Sequence, residues 1–149
     1  MRKLILGLIL LLATPALAAT TYYVRTDGDD TLCNGTADTG YIGMVAPDCG
    51  FKTIQKCVDS VAAGDTCLIH SGTYITACNQ LHGSNNPNGG VNIDNKSGTA
   101  AFPITLRGYP GDTPPVLCGG QCSSSNSTTG CAAILLYSNA SYWVISGLS

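Results

Sequence analysis

Three short segments of this chain carry the same pattern at nearly constant distance. Cys67-Leu68-Ile69-His70-Ser71-Gly72, Ile104-Thr105-Leu106-Arg107-Gly108-Tyr109 and Trp143-Val144-Ile145-Ser146-Gly147-Leu148 begin 37 and then 39 residues apart. Each has apolar residues at its first and third positions and a polar residue at its fourth. That alternation gives a strand one interior face and one solvent face. Between successive copies lie two more strand-like segments and one long polar stretch, at 77–90 and again at 119–130. Three-strand units in fixed order, with variable length confined to one loop, are expected when coils stack and each buries its apolar face on its neighbours. A β-sandwich would also supply many short strands, but it does not call for such units, so the stacked solenoid is preferred.

The remaining strands are predicted at 21–25, 74–76, 91–94, 116–118 and 133–137, separated by turn signals such as Ser71-Gly72, Pro110-Gly111-Asp112 and Gly119-Gly120. One amphipathic helix is predicted over 54–63. Phe51, Ile54, Val58 and Val61 fall on one face, Thr53 suits the N-cap, and Gly64 suits a left-handed C-terminal residue. Every acid is an aspartate, the acid that favours turns over helix interiors, so the composition reads as strand and loop.

Residues 1–18 read as a secretory signal peptide. Arg2 and Lys3 precede an apolar run at 4–12, and Ala16-Leu17-Ala18 is a small-x-small cleavage site. The run is too short to span a bilayer, and no later stretch is long and apolar enough, so no membrane association is expected after cleavage. The mature residues 19–149 then form one domain, with an extracellular, periplasmic or cell-surface location. They keep five cations, Arg25, Lys52, Lys56, Lys96 and Arg107, against nine aspartates, a net of −4 (5 − 9). With no basic cluster to follow phosphates, nucleic acid is excluded as a partner.

All eight cysteines follow the leader, which points to disulfides in an oxidising compartment. Zinc is disfavoured, since there is no CxxC pair and His70 and His82 stand apart from any ligand spacing. Cys33 and Cys49 bracket a loop before the helix. Cys57 lies on the helix and Cys67 on the inward phase of the first strand of a coil, so their bridge would tie the two together. Cys78 and Cys118 each close the second strand of a coil and would meet in adjacent layers, about 4.8 Å apart. Cys122 and Cys131 then bracket the Ser-rich loop.

The order Tyr22-Tyr23-Val24, residues 26–30, Gly35-Thr36, Phe51-Lys52-Thr53-Ile54-Gln55-Lys56, Gly64-Asp65-Thr66, Gly72-Thr73-Tyr74, Ser97-Gly98-Thr99, Pro103-Ile104-Thr105-Leu106 and Tyr109-Pro110-Gly111 resembles the N-terminal region of pectate-lyase-like parallel β-helix proteins. The resemblance implies an all-β, right-handed parallel β-helix whose open N-terminal end is capped by the amphipathic helix, and a chain cut short at its C-terminus. Because the superfamily holds lyases, hydrolases, epimerases and non-catalytic surface proteins, it implies a fold more firmly than a reaction. Its lyases place their catalytic Lys or Arg and their calcium-binding acids on later coils. The expectation is therefore the first part of a secreted protein acting on polysaccharide or cell-surface glycan, lyase-like, whose catalytic residues lie beyond Ser149. A non-catalytic adhesin or surface-structure protein is the alternative. No cofactor is expected in this segment, while calcium is possible in the full-length protein.

Individual residues carry weaker chemistry. Asp27-Gly28-Asp29-Asp30 is the densest carboxylate cluster, better read as an Asx turn than as a calcium site. Lys96 and Arg107 are the cations nearest a lyase base, yet neither has an identifiable partner that would depress its pKa. His70 and Arg107 sit on outward strand phases, and no Ser-His-Asp order exists. Tyr22, Tyr23, Tyr74, Tyr109, Tyr137, Tyr142 and Trp143 could stack on sugars but are expected to be core or ladder residues. Sequons at Asn34, Asn95, Asn126 and Asn139 fall in predicted loops.

Overall fold

The computed structural model describes residues 18–43, 47–75, 90–118 and 133–149. The leader before Ala18 lies outside the described residues, as do Cys78, His82, Cys122, Asn126 and Cys131. Eight short strands and one helix follow in the order β1 (Thr21–Val24), α1 (Ile54–Ser60), β2 (Thr66–Ile69), β3 (Thr73–Ile75), β4 (Val91–Ile93), β5 (Ile104–Gly108), β6 (Val116–Cys118), β7 (Ile134–Leu136) and β8 (Trp143–Ser146).

Every strand pairing among these is parallel. One sheet has the order β1-β2-β5-β8, a second pairs β3 with β6, and a third pairs β4 with β7. The chain thus visits three sheets in turn through β2, β3 and β4, repeats the circuit through β5, β6 and β7, and begins it again with β8. Parallel neighbours place like positions over one another, so inward side chains form columns. Val24, Cys67, Ile69, Ile104 and Leu106 are buried from the large sheet, and Val91 and Ile93 from β4. Each such aliphatic side chain contributes about 1.5–3 kcal/mol on burial.

The register differs from the sequence alignment in one step. Ile104 lies opposite Trp143, as aligned, but Cys67 lies opposite Leu106 rather than Ile104. Both steps are therefore 39 residues (106 − 67 and 143 − 104). A slip of two preserves the inward and outward phases, which is why alternation alone could not detect it.

Helix α1 packs its buried face, Ile54, Cys57 and Val58, on β1, β2 and β4. Its start is doubly secured. The Thr53 hydroxyl accepts from the Lys56 N–H at 3.2 Å, and the Asp30 carboxylate accepts from Lys52 N–H, Thr53 N–H and the Thr53 hydroxyl at 2.8, 3.0 and 2.7 Å. The helix ends at Ser60, three residues before the predicted end. Val61 turns to extended backbone (φ −70°, ψ 151°) and buries its side chain, while the Asp65 carboxylate takes the Ala62 N–H at 2.8 Å. Gly64 does adopt a left-handed φ of +93°, but in the turn leading to β2 rather than at the helix end. Lys96 Nζ instead covers the terminal carbonyls, donating to Asp59 O at 2.7 Å and Val61 O at 3.1 Å.

Two disulfides are present among the described residues, Cys33–Cys49 with Cα atoms 4.9 Å apart and Cys57–Cys67 at 6.3 Å. The first closes the 27–50 excursion, and the second joins α1 to β2. The expected Cys78–Cys118 and Cys122–Cys131 pairs fall outside the described residues, apart from the backbone of Cys118. Gln55 adds a polar tie from α1, its side-chain oxygen accepting from Asn92 N–H at 2.8 Å and its amide donating to Asn92 O at 3.0 Å. Replacing both Cys57 and Cys67 by Ser should lower stability by roughly 2–4 kcal/mol, through a freer unfolded chain. Urea denaturation of the double variant measures this, and an unchanged midpoint would refute it.

Candidate functional site

At the carboxyl ends of the large sheet's strands, the register brings together residues far apart in sequence. Val24 pairs with Ile69, and Ile69 with Gly108, so Arg25, His70 and Tyr109 follow in successive layers. The ladder continues past the strands, with His70 N–H donating to Val24 O at 3.0 Å and Tyr109 N–H to Ile69 O at 2.7 Å. Tyr109 stacks on the His70 ring with centroids 4.0 Å apart. Two further acids reach in from loops. Asp38 comes from the excursion between β1 and α1, and Asp112 from the turn after β5.

His70 sits between these two carboxylates. Its Nε2 lies 2.7 Å from Asp38 Oδ1, and its Nδ1 lies 2.9 Å from Asp112 Oδ2. Both contacts are donor–acceptor pairs only when each ring nitrogen carries a proton. Arg25 completes the group, meeting Asp38 at 2.8 Å and Asp27 at 2.9 Å. The Arg25 hydrogen bond holds the Asp27 carboxyl below the usual carboxylate range despite some burial. Burial pushes Asp38 upward, but the Arg25 hydrogen bond and the charge and hydrogen bond of His70 outweigh it, so Asp38 also falls. Asp112 is lowered by the Ser71 backbone N–H and by His70. The hydrogen bond to Asp38 raises Tyr109. Tyr74, behind this group, is pushed up to about 12 by burial, and its hydroxyl donates to Val24 O at 3.1 Å.

Such a group joins three layers and the excursion into one charged wall. Beside it runs the solvent face of the large sheet, on which Tyr23, Leu68, Arg107 and Ser146 occupy one row of the register and Thr21, Thr66, Thr105 and Val144 another. Arg107 is exposed there and makes no ion pair among the described residues.

Other sequence candidates go elsewhere. The Asp27, Asp29 and Asp30 carboxylates do not converge on a point that could hold calcium. Asp27 turns to Arg25, Asp29 accepts from Thr31 and Leu32 N–H in an Asx turn, and Asp30 serves the helix N-cap. Among the described residues no group of three His, Cys, Asp or Glu side chains could hold a metal ion. Lys96 is committed to helix carbonyls. Tyr22 stacks on Phe51 and Tyr74 is buried, and the Trp143 ring N–H donates to Lys96 O at 2.9 Å. Tyr137 and Tyr142 are exposed rather than in the core. Asn95 and Asn139 form a side-chain ladder with each other, beside Ser97 and Ser141. The Asn34 amide donates to Asp48 at 2.9 Å.

The outward phase of His70 names no partner for it in the sequence, and no motif marks Asp38 or Asp112, yet the fold brings the three together. Aligning Cys67 with Ile104 sets His70 opposite Arg107, whereas the observed register sets it opposite Tyr109. Moving that alignment by two residues would have revealed the Arg25–His70–Tyr109 row.

No protein-family model matches the chain. Parallel strands returning to the same three sheets, together with a likeness to lyases in both sequence and structure, support a pectate-lyase-like superfamily. The chain is 32% identical over 139 residues to pectate lyase PEL9 of Emericella nidulans, across 87% of its own length and 27% of that protein's. It also superposes on a rhamnogalacturonan lyase structure with a TM-score of 0.56 and 27% identity, covering 87% of this chain and 28% of that one. The chain therefore spans about a quarter of the length of these relatives.

Because the network lowers three carboxyls, the unfolded chain binds more protons in acid. The stabilisation is complete above the ordinary carboxylate pKa, about 3.9, and is lost as pH falls through the lower folded values. Melting temperatures between about pH 5 and about pH 2 should show this loss, and Asp38→Asn should reduce it. Equal acid slopes for the two proteins would remove Asp38 from the network.

Proposed function

We propose that this chain is the N-terminal part of a secreted polysaccharide lyase of the parallel β-helix kind, acting on an acidic plant-type polysaccharide. In this reading the three sheets are the walls of a right-handed solenoid, α1 caps its open end, and the catalytic cation and any calcium-binding acids belong to coils beyond Ser149. The observation that carries the reading is the double likeness, in sequence and in structure, to two proteins each named as a lyase. Several features support it further. The two disulfides fit an oxidising compartment. No helix among the described residues is long and apolar enough to cross a membrane. Three of the five cations give no reason to place the chemistry in this segment, since Lys96 caps α1, Arg25 is held by two aspartates, and Arg107 makes no ion pair among the described residues.

Elimination beside a sugar carboxylate needs a base and a nearby positive charge to offset the carboxylate. Extended with its further coils, the protein should cleave pectate or rhamnogalacturonan to products with unsaturated ends, read by their ultraviolet absorbance. Residues 19–149 alone should give no turnover. Binding without elimination or hydrolysis across acidic and neutral polysaccharides would overturn the enzyme reading in favour of a non-catalytic surface protein. Turnover by residues 19–149 would show that the site lies within them.

A further inference from the structure

Asp65 occupies an inward position of the large sheet. The register places it in the column that runs Thr20, Asp65, Ile104 and Trp143, where the next two layers carry apolar residues. It is 5% exposed. Its carboxylate is served by two backbone donors, Thr20 N–H and Ala62 N–H, both at 2.8 Å. No cation lies within ion-pair distance of it among the described residues. A buried carboxylate held by neutral donors alone is costly, because they offset only part of the lost hydration.

The position of its first donor is informative. Thr20 lies two residues past Ala18, where the leader pattern ends, and Ala19 rests near Gly64, beside Asp65. Successive backbone nitrogens are separated by about 3–3.7 Å, so the Ala19 nitrogen falls within about 6–7 Å of the Asp65 carboxylate. We infer that removal of the leader after Ala18 creates the missing cation, the α-ammonium of Ala19, and that this pairs with Asp65 to lock the first layer. Hydrolysis breaks the Ala18–Ala19 peptide bond. Water supplies the oxygen that makes the Ala18 carbonyl a carboxylate, and Ala19 nitrogen takes the protons that make it an ammonium. Before cleavage that nitrogen is a neutral amide. The inference rests on the secretory part of the proposal above and is independent of any enzyme activity.

The elements around Asp65 carry other charged and titratable groups, Lys56 and Asp59 on α1, Asp94 and Lys96 after β4, Arg107 on β5, and Tyr22 and Tyr23 on β1. Lys96 is spent on the Asp59 and Val61 carbonyls. Ala19 is exposed, so the pair is partly solvated.

The test uses the secreted protein, whose first residue is read by mass spectrometry. Ala19 is expected there, and another first residue overturns the inference while leaving the lyase proposal standing. NMR titration of the α-amine should place its pKa above the ordinary range of about 7.7–8.0. A raised folded pKa stabilises fully below the unfolded value and ceases to do so as pH rises through the folded one. The free-amine form should therefore melt above an α-acetylated form and a Gly-Ser-extended form at neutral pH, with the gap closing in alkali. Both comparison forms retain Asp65, so neither removes the carboxylate that the Thr20 and Ala62 N–H groups bond. An ordinary amine titration, or equal melting of the three forms at all pH values, would overturn the pairing.

Discussion

Parallel pairing without drift between layers is the constraint on which the rest of the molecule depends. Each strand of the large sheet is only four or five residues long, too short to hold its place by backbone hydrogen bonds alone. What fixes it is that the inward side chains of one layer rest on those of the next, as Cys67 does on Leu106 and Ile104 on Trp143. A shift of one residue would turn every aliphatic side chain to solvent. The loops can then vary freely, as the steps along the large sheet do: 45 residues from β1 to β2 (66 − 21) and 39 for each step after it.

How much of this the sequence disclosed follows from which signals repeat. Alternation revealed the strands and their inward faces, and Thr53 marked the helix start, because these depend on neighbours a few residues away. The end of α1 was hidden, since it is decided by Asp65, four residues beyond Val61, and by Lys96, which approaches from after β4. The alignment of Cys67 missed by two residues because a period of two is blind to such a slip. The same slip concealed the charged wall. Asp38 and Asp112 sit in turn-rich stretches whose composition announces a turn but says nothing of what the turn will reach. Arg25, His70 and Tyr109 share no residue type, so no motif search would group them.

The wall and the neighbouring sheet face differ in how firmly they are built. Both His70 ring nitrogens and the Ser71 N–H meet aspartate oxygens, and the stacked Tyr109 ring covers one face of the imidazole. Arg107 and its row stand open on the sheet beside them. A surface that binds a polar ligand needs unspent hydrogen-bonding capacity, and the wall has little to spare. The wall is better suited to holding the margin of such a surface than to chemistry.

The excursion between β1 and α1 is sealed where it leaves the body of the protein and where it returns. Asp30 grips Lys52 and Thr53, and the Cys33–Cys49 bridge closes the same neck a few residues further out. Strain or motion arising in the enclosed stretch thus meets two barriers before it reaches the helix. For protein engineering, this makes the segment a cassette. Its contents could be exchanged for a foreign loop while the neck keeps the ends in place, provided the graft returns a carboxylate to the place of Asp38, its side-chain link to Arg25 and His70.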